Sequence, residues 1–166
     1  MTAARQKRKR LCGFFAACFE FVVVVSAGLA ICHAGVTERV VVDWHTGLAI
    51  GGYDPVAYFT DGKQKLGNAD FELRSEGVIW RFCNLGNRAA FAANPDIYLP
   101  QFGGYDPLGV ARGVAVAGKP NVWLIANQRL FLFYDQAWRE NFAADSNRLI
   151  DEAERKWPSV LTTLSP

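Results

Sequence analysis

From residue 35 onward the apolar positions alternate between a spacing of two and a spacing near 3.6, which predicts short strands and short helices in turn. Val40-Val42 reads as a short strand. Residues 69–74 alternate around Phe71 and Leu73, Ser75-Glu76-Gly77 turns the chain, and Val78-Ile79-Trp80-Arg81-Phe82 returns, so this stretch predicts a β-hairpin. Residues 122–126 and 130–134 predict a second hairpin around Asn127-Gln128-Arg129. Asp54 and Pro55 have the chemistry of an N-cap and first helical position for a short helix, Val56-Ala57-Tyr58-Phe59, closed by Asp61-Gly62. Asn84 can cap a helix over 85–93, which Pro95 stops. Residues 95–107 read as loop and 108–117 as a weakly helical, small-residue segment. Asp135 can cap a helix over 136–142. Asp145 or Ser146 can cap a last helix reaching Trp157, with Leu149, Ile150, Ala153 and Trp157 on one face and Pro158 as its stop. The pattern predicts an α+β fold: a single small domain with two β-hairpins and several short helices. The two hairpins differ in sequence, so no internal duplication is predicted.

The first 34 residues follow a different pattern. Arg5, Lys7, Arg8, Lys9 and Arg10 precede an apolar stretch from Leu11 to Ala34 that only Glu20 interrupts. Basic start, apolar middle and small residues at Cys32 and Ala34 read as a signal peptide cut after Ala34. The apolar stretch is also long enough to span a bilayer, so residues 1–34 read alternatively as an uncleaved membrane anchor over 11–34; Glu20 opposes a stable span. Either reading exports the remainder to a periplasmic or extracellular location, because the basic residues stay inside. The organisation predicted is leader 1–34, strand or linker 35–48, domain 49–158 and tail 159–166.

Charge matters only once the leader is set aside. The chain carries 18 basic and 16 acidic residues; residues 35–166 keep 13 and 15, with no basic run. Nucleic-acid binding therefore has no electrostatic support. Cys12, Cys18 and Cys32 lie in the leader, leaving Cys83 alone, so the domain is held by its core and not by an internal disulfide.

The candidate chemistry gathers around a pentapeptide that occurs twice, Gly51-Gly52-Tyr53-Asp54-Pro55 and Gly103-Gly104-Tyr105-Asp106-Pro107. Asp54 and Asp106 read first as caps. The sharper reading brings the two turns together as one pocket, with Tyr53, Tyr58 and Tyr105 as walls. Asn87 and Arg88 lie early in a helix, where Arg88 can pair with a carboxylate or hold an anionic ligand. Cys83 ends a hydrophobic strand, which suits a buried inert thiol; a ligating or redox thiol needs a cation, helix start or second ligand beside it. His45 is the domain's sole histidine. No serine elbow, phosphate loop, HExxH or CxxC is present, so no catalytic residue is assigned.

Several of these segments resemble exported YHS-domain proteins. They are Gly52-Tyr53-Asp54-Pro55-Val56-Ala57-Tyr58-Phe59, Trp80-Arg81-Phe82-Cys83, then Asn87-Arg88 with Phe91, and Asn94-Pro95 through Tyr98, Pro100-Gln101 and Gly103-Gly104-Tyr105. Trp123-Leu124-Ile125, Leu130-Phe131-Leu132 and Lys156-Trp157-Pro158 extend the likeness to most of 49–158. The resemblance implies a small extracytoplasmic α+β domain. In metal-associated members three thiols would fall at Ala57, Cys83 and Asn87, and exported members tend to carry another at Asp106; one of these thiols is present here.

These features predict a non-catalytic binding module. It would hold a small ligand or metal ion near the two pentapeptide turns. The ligand residues are Tyr53, Asp54, Tyr58, Asn87, Arg88, Tyr105 and Asp106, with Cys83 and His45 as the metal candidates and a transition metal as the candidate cofactor. One alternative is an accessory protein that binds another exported protein, through an exposed apolar patch around Phe131 and Phe133. Another is a thiol-dependent metal-handling or redox protein.

Overall fold

The computed structural model describes residues 38–164. The leader or anchor reading of 1–34, the start of the 35–48 segment and the last two residues of the tail lie outside the described residues. Among the described residues no helix is long and apolar enough to cross a membrane.

The domain is α+β, with two antiparallel hairpins and several helices. A 3₁₀ turn at Ile50–Gly52 leads into α1 (Ala57–Thr60), the hairpin β1 (Asn68–Ser75) and β2 (Val78–Phe82), and α2 (Leu85–Ala93). A short α3 (Pro95–Tyr98) follows. A second 3₁₀ turn at Gln101–Gly104 leads into α4 (Pro107–Ala111), the hairpin β3 (Lys119–Ala126) and β4 (Arg129–Phe133), α5 (Gln136–Ala144) and α6 (Ser146–Leu161). The predicted hairpins and most helix starts stand. Residues 95–107 hold α3 and a 3₁₀ turn where loop was expected.

The same sequence of elements therefore occurs twice, and the hydrogen bonds match, which corrects the expectation of no duplication. The paired glycines take positive φ in both turns, 65° and 77° at Gly51 and Gly52, 63° and 90° at Gly103 and Gly104. That region favours glycine because it lacks a Cβ. The tyrosine after each pair has φ −75°. Asp54 N–H donates to Lys65 O and Asp106 N–H to Val116 O, both at 2.8 Å. Gly67 N–H donates to Gly52 O and Gly118 N–H to Gly104 O, at 2.9 and 3.0 Å. A Cβ on Gly67 would lie 2.5 Å from the Arg81 carbonyl carbon, and one on Gly118 2.6 Å from Leu132 Cβ, so in each hairpin the chain entering the first strand passes the second strand at glycine distance. Each first strand breaks register once, between Asn68 and Glu72 and between Lys119 and Trp123. Each hairpin is followed by a capped helix of nine residues: Asn84 Oδ1 accepts from Asn87 N–H and Asp135 Oδ1 from Trp138 N–H. From the hairpins through these helices a residue of the first repeat corresponds to the one 51 positions later, so Phe82 matches Phe133, Arg88 matches Arg139 and Phe91 matches Phe142.

The repeats bury different amounts of their hairpins. In β2, Trp80 and Phe82 enter one core with Phe91, while Ile79 and Arg81 face the other way. In β4 both faces are buried: Leu130 and Leu132 join the first repeat's core, and Phe131 and Phe133 join a second core with Phe142, Ile150 and Ala153. The second hairpin is thus the central layer of the domain. The expected apolar docking patch around Phe131 and Phe133 is corrected, since neither residue has any exposed surface.

The last helix runs through Pro158 to Leu161 where a stop was expected. Proline removes one backbone hydrogen bond and crowds the preceding turn. Burial of Val160 and Leu164 against the second core holds the chain there nonetheless.

Candidate functional site

Each repeated turn presents its aspartate to its own hairpin. Asp54 is fully buried. Its Oδ1 accepts from Val56 N–H at 2.8 Å and Ala57 N–H at 3.4 Å, and its Oδ2 from Cys83 N–H at 2.7 Å and Asn87 Nδ2 at 2.6 Å. Asp106 is equally buried; its Oδ1 accepts from Leu108 N–H at 2.8 Å and its Oδ2 from Tyr134 N–H at 2.7 Å. In each case one carboxylate accepts from backbone N–H groups leading into the short helix and ties that segment to the residue after the second strand, and Asp106 is the helix N-cap itself. Burial holds the Asp106 carboxyl above the usual carboxylate range, against the hydrogen bonds from Tyr134, Leu108 and Gly109, which lower it.

The predicted ligand residues are therefore divided. Asp54, Asn87 and the Cys83 backbone meet in one network, and Asp106 stands in another. The turns themselves approach, since a Cβ on Gly104 would lie 3.5 Å from Ile50 Cγ2. Apolar contacts fill that junction. The tyrosines have structural partners: Tyr58 is buried and its hydroxyl donates to Pro120 O at 2.8 Å, and the buried Tyr105 donates to Glu38 O. Burial pushes Tyr105 up to about 12, with Glu38 adding to it, and raises Tyr58 as well. Tyr53 is half-buried and bridges to Leu66.

The two metal candidates have different surroundings. His45 is exposed in a turn built by Asp43 and Thr46, with its ring 3.3 Å from that of Trp44. Cys83 is half-buried, and its thiol donates to Leu66 O at 3.5 Å. Burial, then a hydrogen bond with Asp54 and its charge, pushes the thiol up to about 11. A thiol so raised is protonated at neutral pH and a poor nucleophile. Among the described residues no three His, Cys, Asp or Glu side chains converge as a metal would need.

A different place has the form of a binding site. A groove of about 580 Å³ lies between the repeats. That volume is in the range of ligand pockets. One wall is Tyr58 and Gly62 from the first repeat, the other is Gln136 and Arg139 on α5, and the floor is residues 121–125 of β3. Side chains of a strand alternate between faces. Val122 and Leu124 join the second core here, and Trp123 and Ile125 the first. Five consecutive residues can line one groove only along the edge of a strand, and among the described residues β3 pairs with β4 alone.

The edge has a definite polarity. Asn127 and Gln128 form a two-residue turn with φ of 51° and 60°, which makes Ala126 and Arg129 a hydrogen-bonded pair. Alternation makes Leu124–Phe131 the next such pair and turns the N–H and C=O of Trp123 and Ile125 into the groove. Arg139 Nε donates to the Trp123 carbonyl at 2.8 Å, which holds its guanidinium beside the edge. Among the described residues no carboxylate pairs with Arg139. The Trp123 ring packs edge-on against Tyr58 at 5.2 Å and donates to Gln64 Oε1.

Of the predicted site residues only Tyr58 borders this groove. Arg139 and Gln136 carry no site assignment in the sequence, and Trp123 enters there only as part of the family likeness. The signal for Arg139 is its position, 51 residues after Arg88 in the second copy of the unit. Compared with protein-family models, curated proteins and solved structures, the chain matches none.

Proposed function

We propose that the protein is a non-catalytic binding module of YHS-like character, exported behind the leader at 1–34, and that it holds its ligand in the groove along β3. The observation that carries this reading is the groove itself: a strand edge with outward backbone groups, a Tyr58 wall from the first repeat, a polar wall of Gln136 and Arg139 from the second, and no acidic partner for Arg139 among the described residues. The buried, fully bonded aspartates and the protonated Cys83 support a structural role for the two turns, and so favour the groove over a cleft between them.

The test is a thermal-shift screen of small carboxylic acids, Cu(II) and Zn(II) against the full chain. Acids that raise the melting temperature should lose at least half of that shift in Arg139→Gln and in Asn121→Trp, which places an indole over the groove from an exposed position. Stabilisation by metal that disappears in Cys83→Ser, with no acid effect, would return the site to the turns and overturn this reading.

A further inference from the structure

We propose that the groove takes an extended peptide, added as a strand to the free edge of β3, with a carboxylate of that peptide held by Arg139. This deepens the binding-module reading and rests on it. Residues 121–125 span roughly 13 Å at the rise of a strand, room for four or five peptide residues. The outward N–H and C=O of Ile125 supply a pair of main-chain hydrogen bonds, the usual basis of affinity in strand addition. Arg139 keeps its remaining N–H donors beside Trp123, suited to a planar carboxylate.

The duplicated hairpin shows what a protected edge looks like in the same unit. Glu72 and Arg74 stand on β1 where Trp123 and Ile125 stand on β3, and Glu72 pairs with Arg81 across the hairpin at 2.7 Å. Charges on an edge strand discourage a further strand. On β3 the same positions are apolar, walled by Tyr58 and accompanied by Arg139, which has no carboxylate partner among the described residues. The difference favours a peptide with apolar residues at alternate positions and an acid near one end.

The experiment selects from fluorescein-labelled random octapeptides with free C-termini, using the full chain, and measures the enriched sequence by fluorescence anisotropy. Ile125→Pro removes the outward N–H and leaves the β3–β4 ladder intact; it should weaken binding at least tenfold. Arg74→Pro, its counterpart in the first repeat, should leave binding unchanged. Arg139→Gln should cost at least tenfold and Arg139→Lys less. Amidating the C-terminus, or replacing Asp and Glu of the peptide by Asn and Gln, identifies which carboxylate Arg139 holds; one of the two should reproduce the Arg139→Gln loss. N-methylation of alternate peptide residues tests backbone pairing with the protein untouched, and should abolish binding in one register only. Enriched peptides insensitive to N-methylation would overturn strand addition. So would a dimer of the chain that Ile125→Pro dissolves and peptides do not, which would give the edge to a second copy. Failure to enrich any peptide, with carboxylic acids still binding through Arg139, overturns the peptide and leaves the groove reading intact.

Discussion

The two repeats share a backbone plan and differ in what surrounds it. The first hairpin has one dry face and one wet face, and its returning strand reads Val78-Ile79-Trp80-Arg81-Phe82, apolar at every second position with Arg81 outside. The second is covered on both faces and reads Arg129-Leu130-Phe131-Leu132-Phe133. Strands buried on both sides become continuous apolar runs, and half-buried strands alternate. The burial therefore explains why two copies of one unit no longer look alike. It also explains why the groove forms on β3: its Tyr58 wall belongs to the first repeat and its floor to the second, and among the described residues none stands in that relation to β1.

The largest effect should come from exchanging the residues that define the faces. Leu132 is fully buried and its counterpart is Arg81. Leu132→Arg places an unpaired charge between the two cores and should cost about 4 kcal/mol, a large part of a typical domain's stability. Arg81→Leu should cost no more than about 1 kcal/mol, because it removes a half-exposed ion pair with Glu72. Urea denaturation of both variants checks the pair. Comparable losses would mean that the faces do not differ in burial as described.

Next in size are the two aspartates. Asp54→Ala strips acceptors from three backbone N–H groups and from Asn87, and should cost about 3 kcal/mol. Asp106→Ala frees Leu108 and Tyr134 N–H, and should cost about 2 kcal/mol. Asn87→Ala should matter only where Asp54 is present, which a double-mutant cycle reads directly.

A smaller and pH-dependent difference belongs to Asp106. Its carboxyl lies above the ordinary value in the folded chain, chiefly through burial. The native state thus holds that proton more tightly than the unfolded chain. Its contribution to stability is greatest below the unfolded value near 3.8 and declines as pH rises through the folded value. Asp106→Asn should lack that decline, so the difference between variant and parent should change with pH, measured by urea midpoints from pH 3 to 7. A difference flat with pH would mean that the hydrogen bonds fully offset burial.

Local chemistry was legible where local rules decide. Asn84 and Asp135 cap the helices their side chains predict, and both hairpins sit where alternation places them, because caps and tight turns depend on a few adjacent residues. Pro158 was misleading because contacts of Val160 and Leu164, distant in sequence from their partners, outweigh its local preference. The duplication was obscured by divergent faces; the positions that kept their letters include several fixed by geometry, among them the pentapeptide, Gly67 and Gly118, and Phe82 and Phe133. The pentapeptide drew attention as a site because glycine, tyrosine and aspartate are common in binding loops, yet here they form the fastening of each unit. The groove was invisible in the sequence, because Tyr58 and Trp123 meet only when one repeat lies on the other.

The least effect on stability should come at the position where the repeats carry Cys83 and Tyr134. Both donate a backbone N–H to the aspartate of their own turn, a bond that a change of side chain leaves in place. Cys83→Ser should therefore change the urea midpoint little, within the range of ordinary surface substitutions at about 0.5 kcal/mol. Its ionisation is the informative quantity. Burial and Asp54 raise the folded thiol to about 11, above its ordinary value near 9, so the thiolate is disfavoured in the native state. Stability from this group is complete below the unfolded value and falls as pH rises from 9 towards 11. Alkylation by iodoacetamide should accelerate with an inflection near pH 11 in the folded protein, and Asp54→Asn should move the inflection down. An inflection at 8 or below would mean an activated thiol. The first repeat would then carry a chemistry that the second, with Tyr134, has no means to share.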